Sequence, residues 1–372
     1  MTAVKISALA VAAVGVCSIL GSPNRPKVEA TSPNVDKAVH WLVSVQGKDG
    51  GWGQDGGATS YVRSTERLET NGNDVANTAV ATLALVHAGN TPAKGDYRSS
   101  VRSGMDFILR SVEDSPEEGL AVTRVSGTQI QRKLGPFIDT FLTSTLLSEM
   151  DGNMGDAQSN QRVRRALEKC VRKIEKNQQQ DGSWNISGGW APILGTSMAS
   201  RSLDQAARKG VLVDRVAMAK VSEYTRNAQV GASGGRVSPM AAPASAGVPL
   251  YQNAQALEQM SRSDADRRRN AKEISAITGQ LSDARFVNGF GSMGGEEFFS
   301  YLNISDSLHR AGGAEWNKWN NQIKTQLVRL QNEDGTWAGH HCITGRVAVT
   351  SAAVMTLLAE RDPIVVAPGN KR

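Results

Sequence analysis

The sequence is poor in aromatic residues and in cysteine. Phe, Trp and Tyr make up 5% of its 372 residues, and it contains three cysteines. So low an aromatic share argues against chemistry that needs several aromatic faces to stabilise a carbocation. Two of the cysteines, Cys170 and Cys342, lie in the main body of the chain, and their separation in sequence leaves open whether they pair. The hydrophobic share of 40% and the charged share of 21% are ordinary for a globular protein with a large core.

The one marked apolar run, residues 6–20, is uncharged and follows Lys5. It is too short to span a membrane comfortably, and a positive residue followed by such a run is typical of a secretory signal peptide. We therefore interpret residues 1–30 as a signal peptide or an N-terminal anchor and expect an exported protein: periplasmic, secreted or anchored on the outer side of a membrane. Residues 31–362 would then form a single domain, followed by a C-terminal tail at 363–372.

The net charge of +6 is mildly basic. Arginines cluster at residues 162–165 and again at 267–269, but neither cluster contains interleaved aromatic residues or a known nucleic-acid motif. We interpret both clusters as solvated helix faces and expect no nucleic-acid partner.

An internal repeat organises the chain. The pattern Gln-x-x-Asp-Gly-x-Trp occurs three times, at residues 46–52, 178–184 and 331–337. The Asp residues of the three copies are 132 and 153 residues apart, and each interval divides into three units of roughly 44 and 51 residues. Degenerate turns that keep the glycines but lack the Trp follow Gln229 and lie at residues 289–295. The spacing predicts about six units.

Each unit has the pattern of a helix, a turn and a second helix. An apolar-periodic stretch with charged residues precedes the Asp-Gly pair, and Gly is suited to end a helix in the left-handed conformation. A helix of small and apolar residues follows, as at 78–89 and 350–360. Small residues permit close packing, so we assign these second helices to an inner ring and the more charged first helices to an outer ring. Such units must stack, in an open solenoid or a closed ring, and we favour the closed ring.

Over roughly residues 35–360 the repeats resemble the QW motifs of the terpenoid-cyclase and protein-prenyltransferase superfamily. The resemblance implies an all-α fold, an α/α toroid of about six helical hairpins. It also implies that the Gln amide and the Trp ring of each motif fasten the turn to a neighbouring helix. We therefore assign a structural role to six residues: Gln46, Trp52, Gln178, Trp184, Gln331 and Trp337.

The cyclases of this superfamily resemble one another in an Asp-x-Asp-Asp-Thr-Ala segment, whose third position supplies the proton that starts the reaction. The matching segment here, residues 74–79, has Ala76 at the third position and Asn77 at the fourth. Ala cannot donate a proton, and Asn does not replace a carboxylic acid. Asp74 remains as a catalytic candidate, although helix capping explains it better. The chain also has room for one ring, whereas such cyclases normally use two.

The protein prenyltransferases of the superfamily bind zinc through Asp-x-Cys and a His in the last unit. Here Glu296 falls at the Asp position and Phe298 at the Cys position, while Val349 or Thr350 falls near the His position. A lone carboxylate does not hold zinc, which takes about four ligands including nitrogen or sulfur donors. We therefore expect no metal and no cofactor.

Residues 340–346 lie between the last QW turn and the last inner helix, and should face one mouth of the ring. His340, His341 and Arg346, with Trp190 in the corresponding loop of an earlier unit, could bind an acidic, sugar or amphipathic ligand. His341 could also act as a general base. Loop packing is the alternative. Adjacent histidines usually point in different directions and no second cluster of His or Cys completes a set, so we do not expect them to bind a metal.

Three further carboxylates, Asp139, Glu296 and Glu297, could lie near the same cavity. Paired acids at a suitable separation hydrolyse glycosides. As an alternative, Glu296 and Glu297 precede a helix, where the helix dipole favours negative charge.

We interpret the protein as an exported α/α toroid with a degenerate cyclase-like cavity, acting as a binding or structural module for a small-molecule, lipid or glycan ligand. Residues 6–20 could tether it to a membrane. The alternative is an enzyme, either a cyclase-like isomerase or a carbohydrate-active hydrolase or lyase, with catalytic candidates Asp74, Asp139, Glu296, Glu297 and His341. The sequence leaves open whether the protein is an enzyme.

Overall fold

A computed structural model describes five stretches of the chain: residues 32–54, 72–186, 192–233, 248–288 and 294–361. All of them belong to one compact unit, Thr31–Arg372. The predicted signal peptide and the C-terminal tail lie outside the described residues. Among the helices that are described, none combines the length and the hydropathy needed to cross a membrane.

The described residues contain fifteen α-helices, a short 3-10 helix at Ala359–Arg361 and no β-strand. In chain order the α-helices are α1 (Pro33–Ser44), α2 (Val75–His87), α3 (Arg98–Asp114), α4 (Gln129–Leu134), α5 (Ile138–Met150), α6 (Ala157–Lys176), α7 (Pro192–Arg208), α8 (Arg215–Ser233), α9 (Val248–Met260), α10 (Asp264–Arg269), α11 (Ala271–Gln280), α12 (Ala284–Val287), α13 (Gly295–Ala311), α14 (Gly313–Leu330) and α15 (Arg346–Leu357).

Six of these helices form a closed inner ring. In the order α2, α5, α7, α9, α13 and α15, each packs against the next, and α15 packs against α2. Helices α1, α3, α6, α8, α11 and α14 pack on the outside of the ring. The predicted all-α toroid of helical hairpins is confirmed.

The inner helices run in the same direction, so their N-termini meet at one mouth of the ring. Near the start of α2, the backbone N–H of Ala76 donates to the side chain of Asp139 at the start of α5. At the other end, His87 on α2 contacts Glu149 on α5. Residues that precede or begin inner helices are therefore gathered together, even when they are far apart in the sequence.

The residue types explain which helices lie inside. In α15, Val347 to Leu357 are all buried, and Ala348, Ser351, Ala352 and Ala353 leave room for close neighbours on every side. Helix α6 instead buries one stripe, which includes Val163, Leu167 and Ile174, while its other face carries charged residues.

The three QW turns share one set of hydrogen bonds. The indole Nε1–H donates to a carbonyl in the last turn of the preceding outer helix: Trp52 to Leu42 at 2.7 Å, Trp184 to Ile174 at 2.7 Å and Trp337 to Leu327 at 2.8 Å. The backbone N–H of each Trp donates to a Thr hydroxyl of the following inner helix, on Thr78, Thr196 and Thr350. Each turn is thereby held to an outer and an inner helix.

The Gln of each motif holds the turn to the next outer helix. Its side-chain amide donates to one carbonyl in its own turn and one in the first turn of that helix: Gln46 to Gly50 and Ser100, Gln178 to Gly182 and Ala217, Gln331 to Gly335 and Asn34. The bond from Gln331 to Asn34 joins the last unit to the first helix. The hydrogen bonds of each motif thus join its turn to three helices.

Candidate functional site

Asp74 lies at the mouth of the ring as the N-cap of α2. Its carboxylate accepts hydrogen bonds from the backbone N–H of Asn77 at 2.8 Å and from the Asn77 side-chain amide, also at 2.8 Å. This contact satisfies a helix N–H that would otherwise lack an intrahelical partner. Asn77 therefore supports the cap in place of a second acid.

Asp139 brings a carboxyl group to the backbone of Ala76, the position at which the motif lacks its acid. The Asp139 carboxylate accepts from the Ala76 N–H at 3.1 Å and from the Gln131 side-chain amide at 2.7 Å. Burial, and to a smaller extent the negative charge of Asp74, raises the pKa of Asp139 from its usual 3.8 to about 7. The group is thus partly protonated near neutral pH.

Glu296 and Glu297 form a second acidic group in the first turn of α13, where both side chains are fully buried. Burial raises the pKa of Glu296, and a hydrogen bond from the Cys342 thiol opposes part of that rise. The Tyr251 hydroxyl lies beside both carboxylates, and burial together with their charge raises the pKa of Tyr251. Both acids lie in the first turn of α13, where the helix dipole favours negative charge.

His341 and Cys342 lie against this acidic group. A carboxylate oxygen of Glu296, a ring nitrogen of His341 and the Sγ of Cys342 all lie within 4.8 Å of one another. Burial, and to a smaller extent the charge of the Glu296 carboxylate, raises the pKa of the Cys342 thiol. Three donor atoms that could hold a metal thus meet at a place where the sequence did not predict a ligand set.

Helix α4 connects the two acidic groups, and its role was not predicted. Gln131 binds Asp139, while Gln129 is bonded to Thr344 in the loop before α15. Burial raises the pKa of Glu296 and of Cys342, and the charge of Lys133 opposes part of both rises, so its ammonium group lies near the second group. The capping box formed by Thr128 and Gln131 was a readable signal for the start of this helix.

The remaining ligand-binding candidates divide into three cases. Arg346 pairs with Asp334 at 2.8 Å and stacks over the Trp41 ring at 4.9 Å, so its charge already has partners within the chain. His340 is partly exposed in the same loop. Trp190 lies outside the described residues.

Among the described residues, a small cavity lies between the inner helices. A cavity of about 30 Å³, roughly the volume of one water molecule, lies on the ring axis and is lined by residues of α2, α5, α7, α13 and α15. Its lining includes His87, Glu149, Arg201 and Phe299. Sequence patterns predict the helices of a ring but not how the side chains pack between them.

Buried ion pairs lie near the C-terminal ends of the inner helices. Arg201 on α7 pairs with Asp306 on α13 and donates to Asn303 at 3.0 Å. Glu258 on α9 contacts Arg262 at 2.7 Å and Arg310 at 3.7 Å. These pairs join α7, α9 and α13 across the ring, and the sequence analysis did not identify them.

An open groove lies outside the ring. It has a volume of about 820 Å³ and is lined by the connection between α3 and α4, together with Phe137, Asn177 and Ile186. This volume is within the range of small-molecule sites, and its lining mixes polar and apolar side chains.

The comparisons with known proteins identify relatives of one part of the chain. Residues 13–120 match the family described as the squalene-hopene cyclase C-terminal domain. The chain is 35% identical over 95 residues to a squalene–hopene cyclase of Bradyrhizobium diazoefficiens, which is 26% of this chain and 13% of the relative. It is 40% identical over 75 residues to a probable squalene–hopene cyclase of Sinorhizobium fredii, which is 20% of this chain and 11% of the relative. The matches thus span only about an eighth of each relative's length. No solved structure matches.

Proposed function

The chain belongs to the prenyltransferase and squalene-cyclase repeat superfamily, and we propose that its toroid is a binding or structural module that does not cyclise polyprenes. The small volume of the cavity between the described inner helices carries this proposal. A ligand the size of squalene needs a pocket of at least about 300 Å³, and the axial cavity has about a tenth of that volume.

The chemistry at the mouth also supports a module without cyclase activity. Ala76 and Asn77 replace the two acids of the motif, and Asp74 caps α2. Asp139 brings a carboxyl group close to Ala76, but a carboxyl group with a pKa of about 7 is a weak acid for protonating an alkene.

For the module we propose a small-molecule, lipid or glycan ligand. The open groove beside Phe137 and Ile186 has the volume for such a ligand, whereas the ring axis does not. We further propose that the protein is exported and that residues 6–20 direct it to a membrane, as their apolar composition suggests.

The purified full chain, incubated with squalene, tests the proposal by gas chromatography and mass spectrometry of the extracted lipids. A bacterial squalene–hopene cyclase serves as the positive control. We expect no cyclised product from the wild type or from the double variant Ala76→Asp/Asn77→Asp, since restored acids do not open the packed centre. Product from the wild type would contradict the proposed function. Product from the double variant alone would show that the missing acid, and not the packing, prevents cyclisation.

One observation favours a second candidate, an acid–base enzyme acting at the mouth as an isomerase or a carbohydrate-active hydrolase or lyase. Asp139 has a pKa near neutrality, which suits proton transfer, and Asp74 lies beside it. All four carboxylates of the mouth are at most 5% exposed, so a substrate must first open this region. Loss of a measured hydrolase or isomerase activity in Asp139→Asn, with folding intact, would support this candidate.

A further inference from the structure

We propose that Glu296, His341 and Cys342 bind a divalent transition metal, and that Zn²⁺ fits the donor set best. The carboxylate oxygen, the imidazole nitrogen and the thiol sulfur lie within 4.8 Å of one another. These are the three donor types that zinc takes in proteins, where it is usually four-coordinate and tetrahedral. The inference goes beyond the proposed function and does not depend on it.

Two glycines let the loop that carries His341 approach α13 closely. A Cβ on Gly294 would lie 2.5 Å from Cε1 of His341, and one on Gly295 would lie 2.3 Å from the carbonyl oxygen of Ile343. A larger residue at either position would push the loop away from Glu296. The close approach brings the imidazole and the carboxylate together.

The loop is also held from the other side. The side-chain carbonyl of Gln129 accepts from the backbone N–H of Thr344 at 2.9 Å and of Gly345 at 3.2 Å, and its amide donates to the Thr344 hydroxyl at 3.0 Å. These bonds fix the backbone two residues after Cys342. A metal would therefore meet ligands that are already positioned, which favours binding.

The backbone at Cys342 makes neighbouring side chains converge. Consecutive side chains in extended backbone point to opposite sides, but Cys342 has a φ of 62°, the only positive φ of a non-glycine residue in the described ranges. This conformation costs roughly 1–3 kcal/mol and tends to persist where function requires it. Here it places the thiol near the ring nitrogen of the preceding His341.

The surrounding charges suit a divalent cation. The carboxylates of Glu296 and Glu297 lie beside the Cys342 thiol, and the ammonium group of Lys133 lies near Glu296 and Cys342. Glu297 Oε2 and His341 Nδ1 lie 2.9 and 2.7 Å from the point that a Cβ on Gly294 would occupy. Glu297 is therefore placed to complete the coordination or to orient the imidazole; otherwise water takes the fourth position.

This donor set differs from the one that the resemblance to prenyltransferases implies. Phe298 and either Val349 or Thr350 stand at the Cys and His positions of that set and cannot replace those ligands. The nitrogen and sulfur donors proposed here come from the loop before α15.

Titration of the full chain with Co²⁺ tests the site. Reduced protein, freed of metal with a chelator, should bind one Co²⁺ per chain and develop the near-ultraviolet charge-transfer band of a cobalt–thiolate bond. Zn²⁺ should abolish the band by displacement. Cys342→Ser should remove the band, and Glu296→Gln should weaken Co²⁺ binding at least about tenfold, a loss of about 1.4 kcal/mol.

The other two cysteines provide matched controls. Cys170→Ser removes a buried thiol on the outer helix α6, and Cys17→Ser removes the cysteine of the N-terminal segment, which lies outside the described residues. Both variants should retain the band and the stoichiometry. Failure of the wild type to bind stoichiometric Co²⁺, or a band that survives Cys342→Ser, would overturn the proposal.

Circular dichroism shows whether Cys342→Ser folds. If that variant does not fold, X-ray absorption of the zinc-loaded wild type decides the question. One sulfur at about 2.3 Å together with nitrogen and oxygen at about 2.0–2.2 Å is expected, and a ligand shell without sulfur contradicts the site.

Discussion

Replacing the Trp of a QW turn by Phe should destabilise the protein through one lost hydrogen bond. Trp337 is fully buried, and its Nε1–H donates at 2.8 Å to the carbonyl of Leu327 in the last turn of α14. Carbonyls of a last helical turn have no intrahelical donor. Trp337→Phe keeps most of the apolar ring but leaves that buried carbonyl without the indole donor.

The expected loss in the free energy of unfolding is about 1–3 kcal/mol for Trp337→Phe, the usual cost of leaving a buried acceptor unsatisfied. Trp337→Ala adds a cavity and should cost about 3–5 kcal/mol. Because Trp52 and Trp184 make the same bond at 2.7 Å, their Phe variants should fall in the same range as Trp337→Phe.

Urea unfolding followed by circular dichroism measures these differences without relying on Trp fluorescence. Trp316→Phe is the control. Trp316 lies on the outer helix α14, packs beside the His309 ring of α13 and belongs to no QW turn. If Trp337→Phe unfolds at the same urea concentration as the wild type or loses no more than the control, the fastening role is refuted.

Two further predictions concern buried charges. Since the pKa of Asp139 is raised from 3.8 to about 7, the folded state retains a proton that the unfolded chain loses, so wild-type stability should fall as pH rises from about 4 to about 7. Asp139→Asn should flatten this fall, measured as the urea midpoint against pH, and an unchanged pH dependence would contradict the role of Asp139. Asp74→Asn should lower the Asp139 pKa in an NMR titration, and an unchanged pKa would contradict the coupling of the two acids. Arg201→Met should cost about 3–5 kcal/mol because it strands the buried carboxylate of Asp306, and Arg201→Met/Asp306→Leu should recover most of that loss in the same assay. A double variant no more stable than the single one would refute the pairing.

The sequence was sufficient to predict the fold because the repeat recurs in local, readable signals. The expectation that the Asp-Gly pair ends the outer helix was wrong, because α1, α6 and α14 end five or six residues before the glycine. The pair instead forms the QW turn, with Gly50, Gly182 and Gly335 in the left-handed region, and runs of small residues mark the inner helices. The need of each hairpin to bury a second face predicted that the units stack, and the resemblance to the QW-repeat superfamily implied the closed ring.

The candidate site could be predicted only in part. A short sequence segment was enough to predict that Asp74 caps α2. Helix electrostatics accounts for the acids in the first turn of α13. The contact of Asp139 with Ala76, and the meeting of Glu296 with the loop at Cys342, join segments far apart in sequence whose distances depend on the closed ring. The filling of the centre depends on how side chains pack, which residue patterns do not specify.

The proposal that the described inner helices leave too little space between them for a polyprene is tested most directly by equilibrium binding of radiolabelled squalene to the purified full chain. A bacterial squalene–hopene cyclase serves as the reference in the same experiment. The packed centre predicts no squalene retained above the background of a non-binding protein. Retention of about one squalene per chain would contradict it.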